Sequence, residues 1–126
     1  MLYVIYAADQ MYNGLHGMCD WTIEDCYNEN DASEIAFENS LEIINDYSVI
    51  YEELEKEVED EVDFADIPIT EEREEEIRYE IYSSDVLYDI FEIKSEYQKE
   101  DIYELERILQ YDPEEFIKKY CDEDRR

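Results

Sequence analysis

"VLYDIFEIK", residues 86–94, sets whether the sheet of this chain has two strands or three. Its aromatic and β-branched residues favour a strand, although the alternation is not strict. Two earlier segments read the same way. "MLYVIYAAD" (1–9) is a strand buried on at least one face, and "CDWTIEDCY" (19–27) sets Cys19, Trp21 and Ile23 against Asp20, Thr22 and Glu24. Between them "QMYNGLHGM" (10–18) holds both glycines and Asn13, so it is a loop. The first two strands then pair as an antiparallel hairpin, and 86–94 adds a third strand. Were 86–94 a helix, the sheet would lose that strand.

The rest reads as helix. Asp31 and Glu34 form a D-x-x-E capping box, and no Gly or Pro follows until Pro68. Phe37, Leu41, Ile44, Ser48, Tyr51, Leu54, Val58 and Val62 recur at three and four residues, one helical stripe. A helix over about 31–62 would be roughly 45 Å long, with room for a bend near 46–49 or a break near 56–60. "DFADIPI" (63–69) is a connector, because the residue before Pro68 is pushed from helical angles. Thr70 caps a second helix (about 70–83), Asp101 a third (about 101–110), and Asp112 with Pro113 and Glu115 a fourth (about 113–121). The expected fold class is α+β, a small antiparallel sheet (strands near 2–8, 19–27 and 86–94) packed with a long acidic helix and shorter ones, as one domain over 1–126.

Charge narrows the function. The 126 residues carry a formal net charge of −29, against a magnitude of roughly 2–8 for ordinary small domains. Aromatic residues, including 13 Tyr, make up 14% of the chain, so it is not a disordered acidic tail. Binding of DNA or RNA through phosphate neutralisation needs clustered Lys and Arg, and only a small basic group at the C-terminus comes near that. Nothing resembles a signal peptide or an apolar run of about 20 residues, so a soluble, cytoplasmic protein is expected.

No catalytic motif emerges. With 39 acids, a carboxylate pair at any spacing is expected by chance. His16, Cys19 and Cys26 form H-x2-C-x6-C, which lacks the fourth ligand and paired spacing of a zinc site. They read as a loop histidine and two small buried thiols. An acidic field also raises a thiol's pKa, which opposes a cysteine nucleophile. "NGLHG" (13–17) is no phosphate cradle, and the EF-hand calcium loop is absent. We expect no enzyme activity, metal or cofactor.

The acids themselves are the candidate site. "EELEKEVEDEVDFADIPITEEREEEIRYE" (52–80) holds fifteen acidic residues and three basic ones. On a continuous helix, Glu42, Asp46, Glu53, Glu57 and Asp60 would run along a face away from the apolar stripe, joined by Glu61. Consecutive turns place such carboxylates roughly 5–6 Å apart. Duplex DNA presents about one charge per 1.7 Å of axis over both strands, so a rigid acidic helix imitates a line of phosphates. Glu71, Glu72, Glu74, Glu75 and Glu76 would form a second line. Tyrosine hydroxyls nearby would add hydrogen bonds and flat contact area.

Small size, extreme acidity, many tyrosines, acid-dense helices such as "EELEKEVEDEV" (52–62) and the lack of a catalytic motif make the chain resemble DNA-mimic proteins of bacteriophages and mobile elements. Anti-restriction and acidic anti-CRISPR proteins are of this kind. The resemblance implies an inhibitor that evades host defence from the cytoplasm of a bacterial host. Its partner would be a basic nucleic-acid-binding protein, such as a CRISPR effector or a restriction enzyme, blocked by mimicry, steric obstruction or forced oligomerisation. It implies no direct binding of nucleic acid. An acidic adaptor for basic proteins, without mimicry, is the alternative, and a face that serves only solubility is the third. Monomer and homodimer both fit the sequence.

Overall fold

The computed structural model describes residues 1–11, 19–65 and 68–122. The His16 loop, the Asp66 and Ile67 part of the connector, and Arg125 and Arg126 lie outside them. Three strands, β1 (Leu2–Asp9), β2 (Cys19–Asp25) and β3 (Val86–Glu92), form an antiparallel sheet with β1 in the middle. Val4 is the register mark, opposite Ile23 on one side and Phe91 on the other. The segment 86–94 is therefore strand over most of its length, and the α+β expectation holds.

A central strand covered on both faces should be apolar throughout, and β1 is buried at every residue but the half-buried Tyr6. Its side chains divide by parity. Leu2 and Val4 join Ile23, Phe91 and Ile93 in a core closed by Leu105, Leu109 and Phe116 of α4 (Ile102–Tyr111) and α5 (Pro113–Tyr120). Tyr3 turns the other way, to Ala32 of α1 (Glu29–Asp46). The sheet thus lies between α1 and the α4–α5 pair. After α5 the chain returns to the sheet: Lys94 N–H donates to Tyr120 O at 2.8 Å, and Asp122 N–H to Glu92 O at 3.1 Å.

The first helix starts earlier than the D-x-x-E pattern suggests. Asn28 is its cap, its Oδ1 accepting from Asp31 N–H at 2.9 Å, so Asp31 lies inside the first turn. Its buried line also differs from the expected stripe. Ala32, Ala36, Ser40 and Ile44 face inward at four-residue spacing, while Phe37 and Leu41 are only half-buried. Small side chains let the helix approach the sheet closely. Ser40 exploits that approach: its hydroxyl donates to Ala8 O and accepts from Leu87 N–H at 3.1 Å, joining β1 to β3.

The single long helix over 31–62 is in fact two. Tyr47 adopts extended angles (φ −95°, ψ 113°) between α1 and α2 (Ser48–Asp63). No Gly or Pro marks the break. Short polar residues at 45 and 46 compete with the backbone for hydrogen bonds and hold helix weakly. The turn releases α2 to pack Ile50, Leu54 and Val58 against Ile77 and Tyr82 of α3 (Glu71–Ser84). Thr70 caps α3, accepting from Arg73 N–H at 3.2 Å, and Asp101 and Asp112 cap α4 and α5 as their spacing requires. Among the described residues, no helix is long and apolar enough to cross a membrane.

Two acids are buried where the sheet ends, Asp9 and Asp85. Asp85 accepts from Met11 N–H at 2.7 Å. Burial pushes its carboxyl up to about 6 from an ordinary 3.8; the Met11 hydrogen bond opposes the rise, and Asp9 and Glu57 add to it. The folded chain therefore holds a proton that the unfolded chain has lost between about pH 4 and 6, and stability falls as pH rises through that window. Asp85→Asn should remove this fall and gain about 1–3 kcal/mol at pH 7.5. Urea unfolding of both proteins at pH 4.5 and 7.5 checks it; an equal penalty at both pH values would contradict the assignment.

Candidate nucleic-acid-mimic surface

The bases, not the acids, are spread unevenly. Residues 1–93 hold 28 acids and three bases, while seven of the ten bases lie from Lys94 onward. Net negative charge is therefore densest before Lys94, in the part of the chain that includes α1, α2 and α3, while the part from Lys94 onward, eleven acids against seven bases, carries a weaker negative charge.

Before Lys94, α2 and α3 form a hairpin joined to the body chiefly through the end of α1. Only a narrow seam of α2 is covered: Ile50, Leu54 and Val58 are buried, while Glu52, Glu53, Glu57, Glu59, Asp60, Glu61 and Asp63 are exposed. Its 16 residues span about 24 Å. Along that length the two helices carry fourteen acids and three bases. The net density is about one negative charge per 2 Å, close to the roughly 1.7 Å of duplex DNA.

Arg78 makes such density tolerable. Its guanidinium reaches Glu55 of α2 at 2.9 Å, Glu74 at 3.4 Å, and Glu75. Tyr82 O–H donates to the same Glu55 at 3.1 Å. The hydrogen bond to Glu55 leads in raising the Arg78 pKa above its ordinary value, and burial with the Glu55 charge raises that of Tyr82. Arg78→Met would leave three carboxylates converging without a cation. The pair is about a quarter exposed, between a surface and a buried ion pair, so we expect a loss of about 2 kcal/mol in chemical unfolding. A loss below about 0.5 kcal/mol would mean that the cluster is solvated.

The candidate residues divide into three groups. Glu53, Glu57, Asp60 and Glu61 on α2, with Glu71 and Glu72 at the start of α3, are exposed, and no basic side chain among the described residues pairs with them. Glu74, Glu75 and Glu76 are engaged within α3, the last with Arg73 at 2.9 Å, so they are less available to a partner. Glu42 and Asp46 are exposed but sit on α1, beyond the break at Tyr47. They do not continue the α2 line, which corrects the single row expected from one helix. The second row, on α3, does lie beside α2.

Sequence reasoning missed Glu52, Glu59 and Asp63, exposed on α2, and the structural part of Glu55. The last had one signal: Glu55 follows Leu54 in the apolar seam. Cys19 is exposed rather than buried, whereas Cys26 and Cys121 are buried. Partial desolvation of its thiol on the strand and the nearby Asp20 and Asp9 raise the Cys19 pKa, which makes it a poor nucleophile. Among the described residues, no group of three or more His, Cys, Asp or Glu is arranged to hold a metal ion.

No known protein family matches this chain, and no curated protein or solved structure is significantly similar to it.

Proposed function

We propose that this protein is an inhibitor that lays its α2–α3 hairpin into the basic nucleic-acid-binding groove of another protein. A CRISPR effector or restriction enzyme of a bacterial host is the class of partner we favour, as with the DNA-mimic proteins it resembles. One observation carries the reading: a hairpin held by its own apolar seam presents charge at nearly the linear density of duplex DNA, mostly unpaired. Such a surface attracts a Lys/Arg groove over long range and releases the counterions stored there. The inhibition needs no catalysis and no cofactor.

A pull-down with the tagged protein from bacterial lysates carrying restriction and CRISPR systems, near physiological salt, tests it. One dominant nucleic-acid-binding protein, released by added salt and displaced by its own DNA or guide, is the expected result. A broad set of weakly held basic proteins, indifferent to nucleic acid, would overturn mimicry in favour of an acidic adaptor.

A further inference from the structure

An open groove of about 560 Å³ runs between α1, α3 and β3. Phe37, Leu41, Tyr79 and Tyr88 form its walls, with Glu34 and Glu38 at its rim. Phe37 meets Tyr88 edge to face at 6.3 Å, and Tyr79 and Tyr88 remain 60% and 39% exposed. Aromatic faces are thus left open to solvent beside carboxylates that no basic side chain among the described residues pairs with.

This chemistry selects its occupant. A neutral apolar group would leave the two rim carboxylates uncompensated, and an anion would be repelled by them. A compact ammonium is strongly hydrated and gains little from a flat aromatic wall. A guanidinium stacks on an aromatic face while its N–H donors reach a carboxylate in bidentate geometry. We propose that this groove receives an arginine side chain of the basic partner protein. The inference rests on the inhibitor reading and deepens it. The acid lines of α2 and α3 would speed encounter with any basic groove, and the arginine pocket would slow release of one partner. A stacked arginine is also the type of anchor that dominates interfaces.

The test uses the full chain, isotope-labelled for NMR, and a capped Gly-Arg-Gly peptide as probe. Citrulline and lysine versions serve as the neutral isostere and the ammonium control. Saturable shifts centred on Phe37, Leu41, Tyr79 and Tyr88 are expected with arginine, weaker ones with lysine, and none with citrulline. Tyr79→Ser should weaken binding about tenfold through loss of the cation–π contact. Glu38→Gln should weaken it as well and guards against a fold effect of the first variant. Shifts spread over the α2 and α3 acids, no shifts at all, equal affinity for lysine, or unchanged affinity in both variants would each overturn the groove. Diffuse shifts would leave the inhibitor reading standing. Conversely, if the pull-down fails while arginine seats in the groove, the inhibitor reading falls and the site remains.

Discussion

Replacing Glu53, Glu57 and Asp60 by lysine should weaken binding to the captured partner by a factor on the order of a hundred to a thousand, while the unfolding midpoint stays level or rises. The two halves of this expectation have separate causes. The three side chains are exposed and hold no basic partner among the described residues, so the fold loses nothing when they change. Three reversals bring the net charge from −29 to −23, which relieves self-repulsion. In a complex, each reversed charge would face a Lys or Arg of the groove, and like charges in an interface cost several kcal/mol together. Placement is the decisive control. Reversing Glu96, Glu100 and Glu114 makes the same change in net charge from exposed positions at or beyond the end of β3. Calorimetric titration of both variants against the partner separates a site from a field: equal loss in both would mean that only total charge matters. Salt should act in the same two directions, raising the midpoint of the free protein and weakening the complex.

The second large effect concerns what keeps the acids in line. Leu54→Ala should cost about 2–5 kcal/mol, because Leu54 is 2% exposed at the centre of the seam with Ile50, Val58, Ile77 and Tyr82. The seam has little help. Among the described residues, α2 has no side-chain cap, no acid in its first turn and no base in its last. Glu53, Glu57 and Glu61 repel at four-residue spacing. Amide exchange should therefore lose protection in α2 and α3 first, with β1 retaining its own. Equal loss in β1 would mean that the hairpin and the sheet unfold as one unit. Activity should fall with the hairpin, since melted helices no longer hold charge at a fixed spacing.

The α4 and α5 caps, the three strands and the acid-rich runs were all legible in the chain, because each rests on neighbours within a few residues. Asp112, Pro113 and Glu115 specify a helix start whatever surrounds them. The buried line of α1 was not legible, since Ala32, Ala36 and Ser40 carry little hydrophobic signal and are inside because small side chains allow close approach to the sheet. The break at Tyr47 was legible only as a weak stretch. Its position and angle follow from the gain of packing Ile44, Ile50 and Tyr82 together, a contact between residues far apart in the chain.

Residue order alone specifies an α+β chain whose extreme net negative charge lies mostly before residue 94 and which has no recognisable catalytic motif. Composition and local periodicity suffice for that, because net charge is additive and capping is local. Which carboxylates face solvent in adjacent rows, which are neutralised by Arg78, and that Glu42 and Asp46 stand apart follow from the packing of α1, α2 and α3. It also brought Phe37, Tyr79 and Tyr88 from three elements to one groove. These depend on distances between residues remote in sequence, which only packing of the cores establishes.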